Sequence, residues 1–151
     1  MRDGAHVVYG ASWRRHGERR QRAARIARML RPVAHVIGGL VSTELAVPYC
    51  GRWFRPDVGV LLTAEYPIDG VLARAPSLVV RLGEPLSADA WLQAGAHAVW
   101  AVEGGTVWEL SPARRRVLTP DEWLVHPDEL ALRLPAQELV GEPSSHARVE
   151  V

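Results

Sequence analysis

A chain of 151 residues in which 48% of the side chains are apolar is long enough for one domain with a real core, and too apolar to be disordered throughout. No apolar run approaches the roughly 20 residues that cross a bilayer, the first ten residues carry no apolar h-region, and the single cysteine, Cys50, excludes an internal disulfide; a cytoplasmic protein with no membrane partner is expected. The net charge of +1 conceals a segregation: eight arginines against Glu18 give residues 14–31 a local charge of +7, against −6 for the rest, and the absence of lysine excludes any mechanism that needs its amine.

The first predicted element is a short strand at "HVVYG", His6 to Gly10. A helix follows from Ser12, a suitable N-cap, to Leu30. Ala23, Ile26, Ala27 and Leu30 recur at i, i+3, i+4 and i+7 to make one apolar face, with arginines on the others. Pro32 is expected to end or kink it. Val33–Val41 and Ser42–Cys50, broken by Gly38-Gly39, read as two strands or a hairpin, and "CGR" as a turn.

Pro56–Thr63, "PDVGVLLT", is a continuous apolar run of the kind that forms a strand buried on both faces. Glu65–Pro76 holds two prolines and an Asp-Gly pair and reads as a loop. Ser77–Gly83 is a second buried strand, interrupted by Arg81. Ser87 or Asp89 caps a short helix that ends at Gly95. Ala96–Gly105 is a third core strand, and residues 106–120 a fourth with a turn at Ser111-Pro112. The strand–helix–strand order from Leu78 to Val102 predicts a parallel crossover. The tail "PDELALRLPAQELVGEP" suits a strand and a short helical piece. Residues 1–141 are expected to form a single domain, and residues 142–151 a flexible tail. The expected class is α/β with a mixed central sheet, flanking helices and a basic N-terminal helix.

The order of these pieces resembles the Uma-type (Uma-two) restriction endonuclease family, a branch of the PD-(D/E)xK restriction-endonuclease-like superfamily. In that family an Arg-Pro-Asp-Val strand precedes one reading roughly Leu-Val-Val-Glu-Val-Leu-Ser; a helix ending in Ala-Gly-Val and a strand with Tyr-Trp-Leu-Val-Asp follow. The counterparts here are "RPDVGVLL", "SLVVRLGEP", "WLQAGAHAVWAVE" and the closing "LRLPAQELVG", within residues 11–141. The resemblance implies a restriction-endonuclease-like fold and Mg²⁺-dependent phosphodiester cleavage, in which a divalent ion held by carboxylates activates water and neutralises the scissile phosphate.

Carried over by position, Asp57 matches the family aspartate. The second acid falls at residue 81, where this chain has Arg81, and the family's early glutamate and its lysine have no counterpart. Two unit charges about 4 Å apart interact by about 4 kcal/mol at an effective dielectric near 20. Exchanging a ligand carboxylate for a guanidinium therefore weakens metal binding on the order of a thousandfold. Arg81 is suited to pairing with Asp57 across neighbouring strands, which would fill the metal's place. Glu84, just past that strand, is the candidate replacement, so Asp57 and Glu84 are the candidate catalytic and metal-ligating pair. Its bland alternative is an exposed loop acid before Pro85. Glu65 and Asp69 are further acids in reach of the same strand end.

Candidate contacts to nucleic-acid phosphates are Arg14, Arg15, Arg19, Arg20, Arg22, Arg25 and Arg28. Trp13, beside that run, and Trp53, between Arg52 and Arg55, are candidates for stacking on bases, whereas Trp91, Trp100 and Trp108 fall on predicted core. The six histidines show no zinc spacing, and Cys50 reads as a buried or half-buried thiol. Two readings follow. One is an endonuclease with an altered site. The other is a pseudoenzyme of the same fold that binds DNA or an acidic protein partner. Homodimerisation is compatible with both.

Overall fold

The structure, a computed structural model, describes residues 2–62 and 72–140, with side chains described from residue 17 on. Its first element is a helix, α1 (Arg2–Val36), and not the expected strand at residues 6–10. Two adjacent valines are a short local preference for extended chain. They are outweighed by the alanines, arginines and glutamate around them, which favour helix over a longer span. Ser12 therefore lies inside α1 and not at its start.

Pro32 does not end α1 either. It sits on the exposed side, where its missing N–H costs one helical bond, from the carbonyl of Arg28. Termination comes at Gly38, whose φ of +81° is open to glycine. The Gly38 N–H donates to the His35 carbonyl (3.1 Å) and the Gly39 N–H to the Ala34 carbonyl (2.6 Å), the paired bonds of a Schellman cap. Residues 33–36 are thus helical, and of the two alternatives for 33–50 two short strands form, 40–42 and 47–49, each paired with a later strand and not with the other.

Those strands are β1 (Leu40–Ser42), β2 (Val47–Tyr49), β3 (Arg52–Phe54), β4 (Val58–Leu61) and β5 (Leu78–Arg81). Helix α2 (Ala88–Gln93) follows, then β6 (Ala98–Glu103), β7 (Thr106–Ser111), β8 (Arg114–Leu118), β9 (Trp123–Val125), β10 (Arg133–Pro135) and α3 (Gln137–Val140). The central sheet runs β1-β4-β5-β6-β7-β8. Its β5–β6 pair is parallel and the others antiparallel, so the predicted crossover through α2 is present. The Ser87 side chain accepts from the Ala90 N–H to cap α2, and Gly95 follows that helix at φ +116°.

The strand period of two sorts the sheet's side chains into two cores. Val58, Val60, Leu78, Val80, Ala98 and Trp100 face α1 and α3, where Ala23, Ile26, Ala27 and Leu30 meet them as the helical spacing predicts. Leu61, Val79, Val99, Ala101 and Leu110 face the other way, against α2 and the β2–β3 hairpin, with Trp91 fully buried among them. Burial on both faces explains why β4 and β5 are apolar without alternation. Trp108 packs half-buried against the second core.

The hairpin turns through Cys50 and Gly51, at φ +52° and +78°, both in the left-handed region that a two-residue type I′ loop demands. Cys50 is consequently exposed and not a core thiol. Glu65, Asp69 and the predicted tail after Gly141 lie outside the described residues. Among the described residues, no helix is long and apolar enough to cross a membrane.

Candidate functional site

Asp57 stands immediately before β4, at the end of the sheet that faces the middle of α1. Continuing the antiparallel register of β4 and β5, in which Val58 lies opposite Val80, sets residue 57 opposite residue 81. The carboxylate does not reach across to Arg81. Its Oδ2 accepts from the backbone N–H groups of Leu82 (2.7 Å) and Gly83 (3.2 Å), and its Oδ1 lies 3.2 Å from Nε of Arg19 on α1. Only 8% of the Asp57 side chain is exposed.

Gly83 leaves room for the Arg19 side chain, since a Cβ there would come within 3.2 Å of Arg19 Cδ and 3.4 Å of its Nη1. A strand-end amide pair and a helix guanidinium thus converge on one carboxylate. The backbone N–H groups of a strand end make a ready anion cradle, and the guanidinium adds an ion pair at 3.2 Å.

The predicted pair of Asp57 and Arg81 is not formed. Nε of Arg81 donates to the Leu86 carbonyl (2.7 Å), and its Nη1 pairs with Glu103 Oε2 on β6 (2.7 Å). The carbonyl offered by the turn into α2 and the acid at the end of the parallel neighbour satisfy the guanidinium beyond the reach of Asp57. The expected pairing was missed because Arg19 and Glu103 come from elements that no local pattern connects to residues 57 and 81.

Glu84 is not an exposed loop acid. It is 3% exposed, and its Oε2 accepts a 2.5 Å bond from the indole Nε1 of Trp91. Its Oε1 is buried without a hydrogen-bond partner. Burial pushes its carboxyl up to about 10, and the neighbouring Asp57 carboxyl adds to the rise. The Trp91 bond and the Arg81 guanidinium offset part of it. Glu84 is therefore protonated at neutral pH. The structure does bring the two predicted acids together.

The other predicted contacts divide. Arg25 is tied to Glu138 on α3 at 3.1 Å, and Arg19 to Asp57, so both are part of the fold's own charge pairing. Arg20 and Arg28 are exposed and Arg22 is half-buried. Arg14 and Arg15 lie on α1, where only the backbone is described. Beside Asp57 a cleft of about 360 Å³ opens between α1 and the chain around β3, lined by Arg19, Arg20, Thr43, Glu44, Arg55 and Asp57.

A divalent ion is a poor fit to this arrangement. Oδ2 of Asp57 accepts from two backbone N–H groups and Oδ1 is ion-paired with Arg19, Glu84 carries a proton, and among the described residues no group of three or more acids, histidines or cysteines could hold a metal. Mg²⁺ is held through oxygen ligands with charge to offer, and here one cation and one proton already neutralise the pair.

A second polar cluster, missed by sequence reasoning, involves His126. This fully buried imidazole accepts from the Asp128 N–H at Nδ1 (3.0 Å) and lies 3.1 Å from the Ser77 hydroxyl at Nε2. Burial pushes its pKa down. With Nδ1 accepting, Nε2 carries the hydrogen and donates to Ser77, so this imidazole is not the base of a serine nucleophile.

A mixed six-stranded sheet, with Asp57 and Glu84 beside the ends of adjacent strands beneath a long helix, is consistent with a restriction-endonuclease-like architecture. Among solved structures, the chain is similar to a protein of Anabaena variabilis ATCC 29413 described as a candidate nuclease belonging to DUF820. The two superpose with a TM-score of 0.59 at 17% identity, over 83% of this chain and 79% of that one. At this identity the likeness shows the fold, and it is the restriction-endonuclease-like α/β fold that the order of elements suggested. No family model and no curated protein matches the chain.

Proposed function

We propose that this is a restriction-endonuclease-like protein that binds nucleic acid through α1 and the adjoining cleft and does not cleave it. The observation that carries the reading is the ion pair of Arg19 with Asp57 at 3.2 Å, with a buried, neutral Glu84 beside it. Together they put a fixed guanidinium and a proton where metal-dependent hydrolysis needs an exchangeable divalent ion and two ionised acids. Arg20, Arg28, Arg31 and Arg55 remain exposed for phosphates.

The decisive experiment is a calorimetric titration with Mg²⁺ and Mn²⁺ beside a plasmid-nicking assay. The reading expects no heat of specific binding and no nicking. It expects salt-sensitive retention of DNA, because each phosphate contact releases a counterion. Arg19→Ala should begin to take up Mn²⁺. Metal binding by the wild-type protein would refute the proposal.

A second reading, a Mg²⁺-dependent endonuclease, is favoured by one observation, the buried and unpartnered Oε1 of Glu84 next to Asp57. It requires Arg19 to withdraw and Glu84 to lose its proton. It predicts nicking that disappears in Asp57→Ala.

A further inference from the structure

We infer that Trp53 is a stacking platform for an unpaired base, and that the ligand of the cleft is single-stranded nucleic acid. The inference rests on the nucleic-acid reading above and goes further by naming the form of the ligand. Trp53 lies at the centre of β3 and is 62% exposed. The other described tryptophans are accounted for. Trp91 and Trp100 are fully buried, Trp108 packs on a core, and Trp123 lies under the Arg133 guanidinium at 5.0 Å. Trp53 has no such cover. Its cross-strand neighbour Pro48 is exposed too, and the Arg52 guanidinium sits on the hairpin's other face, 5.2 Å over the Phe54 ring.

Phe54 packs into the second core, which anchors the hairpin and fixes Trp53 on its outer side. The short β2–β3 connection through Cys50 and Gly51 fixes the backbone that carries the indole, so little backbone ordering is needed on binding.

The charge beside the ring selects the ligand. Arg55 follows two residues later, just past the end of β3, at a distance of about 7 Å along the chain. It lines the cleft with Arg19 and Arg20. Its contact with Glu44 is long, 3.6 Å, between two exposed side chains. Such a pair contributes little and is readily exchanged for a phosphate. A flat aromatic face next to a track of guanidiniums is the arrangement that holds single strands, the ring taking a base and the arginines the backbone. Bases in a duplex are already stacked on one another and present no face to an external indole. The surface therefore discriminates between paired and unpaired strands.

The test measures fluorescence anisotropy of a labelled 20-residue oligothymidylate and of its duplex with oligoadenylate, in low salt. The wild-type chain should bind the single strand more tightly. Trp53→Ala should weaken that binding about tenfold and leave duplex binding within twofold, and Trp53→Phe should recover most of the loss. Because Trp53 is exposed, the variants should retain the wild-type circular dichroism spectrum. If both oligonucleotides bind and Trp53→Ala changes neither, or changes both alike, the inference is wrong and the nucleic-acid reading stands. If neither binds, both are wrong.

Discussion

Glu84→Gln isolates what the buried acid does. In the folded chain its carboxyl holds its proton up to about pH 10, against an ordinary glutamate value of 4.5. Below the ordinary value both folded and unfolded chains are protonated, so the folded-state preference is fully present. Above it the unfolded chain releases the proton and the folded chain does not, so stability falls with rising pH until the folded pKa is passed. At about 1.4 kcal/mol per pH unit, the wild type has lost about 3 kcal/mol by pH 7 and loses about 4 kcal/mol between pH 5 and pH 8.

Glutamine is the neutral mimic. Its carbonyl can accept from Trp91 Nε1, and its amide can donate towards Asp57. The variant should therefore match the wild type near pH 4 and exceed it increasingly above. Urea denaturation at pH 5, 6, 7 and 8 reads this directly. With a slope of about 2 kcal/mol per molar urea, the two midpoints should separate by about 2 M over that range. A separation that does not change with pH, or a wild type that gains on the variant as pH rises, would mean that Glu84 is ionised in the fold and the reasoning is wrong.

Trp91→Phe should cost about 1–3 kcal/mol, because it leaves both Glu84 oxygens buried without a donor; Glu84→Gln combined with it should not restore the loss, as equilibrium denaturation will tell. Gly39→Ala should lower the melting point by several degrees, since a Cβ there would meet the Leu61 carbonyl oxygen at 2.8 Å and the Ala34 carbonyl oxygen at 3.4 Å, both backbone. His126 acts on the acid side: its folded pKa is depressed, so stability is full above the ordinary value of 6.5 and falls as pH drops below it. Glu84→Gln should accordingly lose urea resistance between pH 7 and pH 5, and Glu84→Gln with His126→Asn should lose less.

What could be read from the chain follows the range of the interactions involved. The strands at Pro56–Thr63, Ser77–Gly83 and Ala96–Gly105 were legible because burial on both faces imposes a local composition, and the crossover because Ser87 and Gly95 mark a helix between two of them. The first strand was misread because Val7-Val8 is a signal two residues long inside a helix of 35. The pairing of β1 with β4, and the separate strand β9, left no local trace. At the site, Asp57 was visible through its Pro-Asp setting and Glu84 through its distance from Arg81. Their states were not, since the guanidinium that meets Asp57 lies 38 residues earlier in sequence and the indole that holds Glu84 lies on the far side of a turn.

The site can be understood as a problem of charge balance with three available solutions. Two carboxyls brought to the ends of adjacent, buried strands cannot both remain ionised without a counter-charge, because their repulsion grows as water is excluded. An exchangeable divalent ion, a fixed cation and a bound proton each restore the balance, and only the first permits metal-dependent hydrolysis. Here Arg19 takes the fixed-cation role at Asp57 and a proton the remaining one at Glu84. Arg81 adds a further positive charge that eases the burial of Glu84 without pairing with Asp57. The three residues therefore act in one direction. An Asp57 open to solvent could bind a cation weakly, whereas here it is covered by Arg19 and by the amides of Leu82 and Gly83.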